Sequence, residues 1–205
     1  MFNRVKENIL SFIFPKLIRA VRETRGNQTP VTLAMWRKQR ASVHNKRVYW
    51  PVHETSIVSG YKNIYAGIDT SPGYMPGCYI QAIGEIYIGD YTQISSNVGI
   101  ITANHDLYDN RKHIVEKVLI GKYCWIGMNS MILPGVELGD NTIVGAGSVV
   151  TKSFPEGYCV IAGNPARKIT DLNKSEVIHH ECKNKYNGYI PSAEFEVYRK
   201  KNLNI

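Results

Sequence analysis

The chain has 205 residues, of which 43% are hydrophobic and 20% charged, and a formal net charge of +8. That is enough chain for one domain with a real core and modest appendages, and no apolar run approaches the roughly 20 residues that a bilayer-spanning helix requires. The charge is uneven: residues 1–50 hold eleven Lys and Arg against Glu7 and Glu23, whereas residues 51–205 hold fourteen against fifteen Asp and Glu. The basic character therefore belongs to the N-terminal arm.

Residues 2–22 read as an amphipathic helix, with Phe2, Val5, Ile9, Phe12, Ile13, Leu17 and Val21 at helical spacing and Arg4, Lys6, Lys16, Arg19 and Arg22 on the polar side. Pro15 is expected to bend or split it. A helix of this kind docks on an anionic membrane surface, or else packs on its own domain or a neighbouring subunit. Pro15 and Lys16 interrupt the apolar patch and no small-residue cleavage site follows, so a secretory signal is not expected. No nucleic-acid module accompanies the basic arm. Residues 26–30 form a turn, and residues 31–41 a second short helix.

From Val52 onward a period of six takes over. Val52, Val58 and Ile64 begin it, Ala82, Ile88, Ile94 and Ile100 continue it, and Ile120, Ile126, Ile132, Leu138, Val144 and Val150 complete it. Glycine follows four of the last six, at Gly121, Gly127, Gly139 and Gly145, and a small or β-branched residue comes four places after the aliphatic at Cys124, Ser130, Val136, Thr142 and Ser148. Six fits neither a helix nor a simple strand; it is the hexapeptide spacing of a parallel β-helix. The aliphatic fills the interior, the small residue lies along the same inner wall, and glycine is expected to supply turn conformations closed to other residues. Residues 70–78, rich in Pro and Gly, read as an irregular loop edge.

Between Ile100 and Ile120 the repeat slips by two residues, and the polar stretch 104–113 resembles nothing in the repeat. It reads as a loop thrown out from the coil, the kind of place where function concentrates. After the repeat, residues 160–168 are expected to form a short strand and turn that closes the coil, residues 171–186 a helix, and the remainder a tail that caps the solenoid. Cys78, Cys124, Cys159 and Cys182 stand far apart with no CxxC pair, which points to thiols in a reducing compartment and not to disulfides or metal.

The hexads, the tripeptide Asn104-His105-Asp106, the Trp125-Ile126-Gly127 step, Gly145-Ala146-Gly147-Ser148 and Ala162-Gly163-Asn164-Pro165-Ala166-Arg167 together resemble the hexapeptide-repeat acetyltransferases. The resemblance is to the sugar and xenobiotic O-acetyltransferase branch, which includes maltose and galactoside acetyltransferases, and residues 74–168 look most like capsule or surface-polysaccharide O-acetyltransferases. It covers roughly residues 52–170 and leaves out the basic arm, so the acceptor-binding residues of maltose and galactoside enzymes are not carried over. It implies an all-β fold, a left-handed parallel β-helix contrary to the usual right-handed crossover. The expected organisation is a basic helical arm (1–50), a β-helix domain with an extruded loop (51–170, loop 104–113), and a C-terminal helix and tail (171–205). It also implies a homotrimer with active sites between subunits, acetyl-CoA as donor and no metal. The location implied is cytoplasmic, with the arm (residues 1–25) suggesting contact with the inner face of an anionic membrane.

The implied function is acetyl-CoA-dependent transfer of acetyl to a sugar hydroxyl of a capsule or surface polysaccharide, or its precursor, directly within a ternary complex. An amino-sugar N-acetyltransferase and an antibiotic O-acetyltransferase are the near alternatives, and a non-catalytic β-solenoid scaffold the distant one. A zinc hydrolyase would need a His set within the coils, whereas only His105 and His113 lie between Ile88 and Val150. An alcohol is a poor nucleophile at neutral pH, so a base is required, and histidine titrates near the working range. By the resemblance His105 is that base. Asn104 orders the loop or touches the acceptor, Asp106 steadies the loop or the imidazole, and Trp125 stands beside the active site or packs at the trimer contact. Gly127, Ala146 and Gly147 let the CoA arm approach the backbone, with Met128 nearby. Lys152, Arg167 and Lys168, beside Thr151, match positions that hold CoA phosphates. The loop residues Tyr108, Asp109, Asn110, Arg111 and Lys112 either contact the acceptor or are ordinary surface, and His113, His179 and His180 read as surface residues.

Overall fold

The computed structural model describes residues 14–205. Most of the expected helix 2–22 lies outside the described residues; its remainder is helix α1, Pro15–Glu23. Pro15 stands in the first helical turn, where its missing N–H is no loss, and Phe14 before it is non-helical, so α1 begins at Pro15. Helix α2, Leu33–Ala41, begins at Thr32, whose hydroxyl accepts from the Met35 amide at 3.2 Å.

The body is a prism of stacked parallel coils with three faces. The first face stacks strands Ile57–Ser59, Tyr79–Gln81, Gly99–Ile101, Met131–Ile132 and Val149–Val150. The second stacks Ile64–Ala66, Ile86–Ile88, Val118–Ile120 and Glu137–Leu138. The third stacks Gln93–Ile94, Trp125–Ile126, Thr142–Val144 and Cys159–Gly163, and ends on the antiparallel strand Ala166–Asp171. Trp125 pairs with Ile143 and Met131 with Val149, each 18 positions on, so one turn is three hexads and each hexad makes one face. Trp125 pairs back to Gln93 and Met131 back to Gly99, each 32 positions. The 14 extra residues are the extruded loop, which explains the two-residue slip.

The inner rows follow the six-residue pattern. Ile126, Ile132 and Val150 are fully buried, as are Thr142 and Ser148 of the small-residue row. Each buried aliphatic contributes about 1.5–3 kcal/mol of transfer free energy. The glycines after the aliphatics act differently from expectation. Gly121, Gly127, Gly139 and Gly145 are not among the residues with positive φ. They are required by stacking: a Cβ on Gly127 would lie 2.6 Å from the Val144 carbonyl oxygen, and one on Gly139 would lie 2.2 Å from that of Pro155. The left-handed corners are occupied instead by Tyr91, Tyr123, Asn129, Asn141, Gly147 and Tyr158, among others. Asn and Gly tolerate that conformation, whereas tyrosine there is uncommon.

The last coil ends on the antiparallel strand, and the first is closed by side chains that satisfy strand-edge backbone groups. At the first coil, Asn45 donates to the Ser56 carbonyl (2.7 Å) and accepts from the Val58 amide (3.1 Å). Tyr49 Oη donates to the Ile64 carbonyl and accepts from the Ala66 amide, and Asn187 donates to the Ala66 carbonyl. The expected helix over 171–186 is absent: 172–185 is an irregular strap. Asn173 folds its side chain onto Ser175, and the Leu172 amide donates to the Tyr158 carbonyl at 2.7 Å, so the backbone is turned and tied to the coil before a helix can start. The C-terminal helix is α3, Ser192–Asn202, whose Phe195 is buried against Tyr49 and Tyr65. All four cysteines are free thiols, three of them buried.

Candidate active site

The three edges of the prism differ in chemistry. One carries the extruded loop, together with the corners after Ile132 and Val150, and so holds His105, Thr151 and Lys152. The next holds the corners after Ile126 and Val144, with Gly127, Met128, Ala146 and Gly147. The last is a ladder of tyrosines, Tyr91, Tyr123 and Tyr158, interrupted by Asn141.

The loop is an antiparallel hairpin, Ala103–His105 against His113–Val115, with His105 paired to His113. Their rings stand 4.6 Å apart. The His105 Nδ1 is hydrogen-bonded to the main-chain oxygen of Asn110. A carbonyl oxygen only accepts, so Nδ1 carries the proton and Nε2 of the neutral ring keeps its lone pair for chemistry. Asp106 belongs to the loop and not to the imidazole: its Oδ1 accepts from the amides of Tyr108 and Asp109, both at 2.9 Å, and its own amide donates to the Lys112 carbonyl at 3.0 Å. Asp109 pairs with Arg111 at 2.8 Å, which holds its carboxyl below the ordinary range. Asn104 is an exposed strand residue opposite Ile114.

On the glycine edge, the Gly147 amide donates to the Met128 carbonyl at 2.8 Å, so the two corners stack directly. Gly147 has φ +69° and nothing within 4 Å of where a Cβ would stand. This leaves a small-residue surface open to an extended ligand, beside an exposed Met128. The cations are split. Lys152 sits on the histidine edge and is exposed, as is Arg167 on the closing strand, while Lys168 is tied to Asp171 at 2.9 Å. Within one chain, then, the histidine and the small-residue corners lie on opposite borders of the first face.

Trp125 points outward from the third face, 56% exposed, with Gln93 and Ile143 as cross-strand neighbours. Beside it the strap 172–185 closes onto the tyrosine edge. His179 lies 4.4 Å from the Tyr123 ring and donates from Nε2 to Asn141 Oδ1 at 3.1 Å, and Lys174 sits over Tyr158 at 4.7 Å. His179 and His180 are thus exposed residues that pin the strap. Between strap and coil is a cleft of about 500 Å³ lined by Trp125, Ile143, Asn141 and Ile178. Residue spacing carries no sign of this cleft, because the strap joins the coil through single contacts without periodicity. Nor did it single out the Asn110 carbonyl, since any residue supplies that oxygen. Cys124, at the cleft floor, is buried and its thiol is pushed up to about 12. Among the described residues no group of three or more His, Cys, Asp or Glu gathers where it could hold a metal ion.

Comparison with known proteins agrees with this architecture. The profile of the bacterial transferase hexapeptide (six repeats) family matches residues 117–152. A putative acetyltransferase of Saccharomyces cerevisiae is 43% identical over 175 residues, covering 74% of this chain and 89% of that protein. The chain belongs to the hexapeptide-repeat acetyltransferases. Its β-helix is therefore the left-handed coil of that family. Another relative, the putative colanic acid biosynthesis acetyltransferase WcaF of Escherichia coli, is 37% identical over 98 residues, covering 47% of this chain and 53% of that one. The chain spans about half the length of the bacterial relatives it matches. A solved galactoside acetyltransferase in complex with coenzyme A superposes with a TM-score of 0.56 at 30% identity, covering 68% of this hexapeptide-repeat chain and 70% of the other.

Proposed function

We propose that the protein transfers acetyl from acetyl-CoA to a hydroxyl of a sugar in a bacterial capsule or surface polysaccharide, or in its precursor, with His105 as general base. The observation that carries this is the His105 ring, held through Nδ1 by the Asn110 carbonyl with Nε2 left free. Nε2 takes the proton of the acceptor hydroxyl as its oxygen attacks the thioester carbonyl, and the imidazolium then returns that proton to the departing CoA thiolate. A base so placed contributes on the order of 10²–10⁴-fold. Nothing in the loop pairs a nucleophile with a base, which favours direct transfer in a ternary complex. The coenzyme A bound to the galactoside relative supports the donor, and the colanic acid relative supports a polysaccharide acceptor. Gly127, Met128, Ala146 and Gly147 would take the pantetheine arm, and Thr151, Lys152, Arg167 and Lys168 the phosphates.

The site is shared between subunits of a homotrimer. His105 and the glycine edge border opposite sides of the first face, and parallel chains laid side by side bring the histidine edge of one to the glycine edge of the next. One outward row of the first face, Ile57, Tyr79, Gly99, Met131 and Val149, is largely apolar and favours such packing. No described helix is long and apolar enough to cross a membrane; a cytoplasmic enzyme touching the inner membrane surface through residues 1–25 accords with the basic arm.

The test is CoA release from acetyl-CoA with a panel of de-O-acetylated capsule polysaccharides, free sugars and amino sugars. Release that depends on a hydroxyl-bearing glycan is the expected result. Release only with amino sugars would make the enzyme an N-acetyltransferase, and absence of acetyl-CoA binding would remove the proposal.

A further inference from the structure

Helix α2 has two unlike sides. The inner side is Gln39, 1% exposed, whose amide is fully engaged. Its Nε2 donates to the carbonyls of Asn45 (3.2 Å), Val48 (3.1 Å) and Trp50 (3.0 Å), and its Oε1 accepts from the Val52 amide (3.1 Å) and the Tyr189 hydroxyl. A satisfied buried amide of this kind fixes the helix and the following turn rigidly to the first coil.

The outer side is cationic and aromatic. The Arg40 guanidinium stands 5.8 Å from the Trp36 ring centre and also bonds the Lys46 main-chain oxygen, so the turn 42–47 is joined to the helix. Arg37 lies one turn before Arg40 and shares its side. The turn presents Val43, 80% exposed, between cations at Arg40, Lys46 and Arg47 and beside His44. Phe14 packs on Trp36 with ring centres 5.3 Å apart, and the two, with Leu17 and Arg40, line an open groove. Lys38, on the flank, is neutralised by Glu54 at 3.0 Å, but among the described residues no carboxylate pairs with Arg37, Arg40, Lys46 or Arg47. Among the described residues, then, an isolated apolar tip is ringed by cations without carboxylate partners on a rigid support.

We propose that this surface, from Phe14 and Trp36 through Arg37 and Arg40 to Val43 and Arg47, docks on an anionic lipid bilayer. Cations facing one way are drawn to an acidic headgroup layer. The exposed Val43 and the Phe14–Trp36 pair are the groups that enter the interface beneath the headgroups. A soluble acidic polysaccharide would be served by the cations alone and gives no reason for an outward valine at their centre. The proposal extends the membrane contact proposed above for residues 1–25, adding a folded, preorganised platform that shares Phe14 with that arm. It is independent of acetyl transfer.

The experiment is co-sedimentation of the full chain with vesicles of phosphatidylglycerol and phosphatidylcholine, against phosphatidylcholine alone. The variants are Arg37→Glu with Arg47→Glu, Val43→Ser, and Arg4→Glu with Lys6→Glu, each checked for an unchanged melting curve and unchanged acetyl-CoA binding. Wild type is expected to bind only the anionic vesicles and to be released by about 0.5 M salt. The Arg37/Arg47 pair is expected to weaken binding at least about tenfold, and the uncharged Val43→Ser to weaken it without altering the charge pattern around it. If both platform variants bind as wild type while Arg4→Glu with Lys6→Glu abolishes binding, the platform is overturned and the arm alone is the contact. If wild type ignores anionic vesicles, both ideas fall. Binding to soluble polygalacturonate but not to vesicles would also overturn the proposal and mark a glycan-docking surface.

Discussion

At the scale of single residues, two glycines on the same edge carry opposite burdens. Gly127 is enclosed, with the Val144 oxygen and the Ala146 amide nitrogen within 2.7 Å of a would-be Cβ. Gly147 is open but left-handed. Gly127→Ala is expected to lower stability by about 1–3 kcal/mol, since stacked coils must part to admit the methyl. Gly147→Ala should cost about 1–2 kcal/mol through its backbone, and should also weaken acetyl-CoA binding by intruding on the open surface. Urea midpoints and acetyl-CoA affinities separate the two; equal loss of affinity with no loss of stability at Gly127 would contradict the assignment. The period of six located Gly127, and the Gly145-Ala146-Gly147-Ser148 motif located Gly147; the reason the period suggested for its glycines was conformational freedom. That reason holds for Gly147, whereas Gly127 answers to the distance between coils, which no spacing in one chain can reveal.

At the scale of elements, the hairpin 103–115 is where geometry governs chemistry. Asp106 closes its turn through two amide bonds, and the same turn delivers the Asn110 carbonyl to His105. Asp106→Ala is therefore expected to lower kcat about tenfold or more with little change in the melting temperature, because a shift on the order of 1 Å in the base is enough to matter. An unchanged kcat would show that the turn holds His105 without Asp106. The loop itself was legible as a break in phase, and its histidine by its neighbours. The partner of the histidine was not, because a main-chain oxygen has no sequence signature. The strap shows the converse failure. Residues 171–186 read as a helix, but Leu172, Val177 and Ile178 are drawn to the tyrosine edge and its cleft, and contact with a distant coil overrides local spacing.

At the scale of the whole molecule, the platform at the first coil is tied together by tyrosines that ionise poorly. Tyr186 is pushed up to about 12 by burial and by its bond to Glu23, and burial moves Tyr49 and Tyr189 in the same direction. Each is neutral in the fold and would ionise near pH 10 when unfolded. Their contribution is thus complete below about pH 10 and is lost as pH climbs towards and through the folded values. The urea midpoint should be flat from about pH 7 to 9 and fall between about pH 10 and 12; a flat profile to pH 12 would contradict the tyrosine lock. The same scale explains why the proposed catalytic assembly was only partly readable: hexads fix what faces inward, while the proposed joining of histidine and glycine edges would depend on a neighbouring copy.

The most direct test is the steady-state acetyl-transfer rate of His105→Ala beside wild type, with the acceptor found in the glycan panel and acetyl-CoA affinity measured in parallel. The account predicts a fall in kcat of at least about 100-fold with donor affinity unchanged. Full activity in His105→Ala would contradict the base assignment, and a loss confined to acetyl-CoA affinity would move His105 from the chemistry to the binding of the donor.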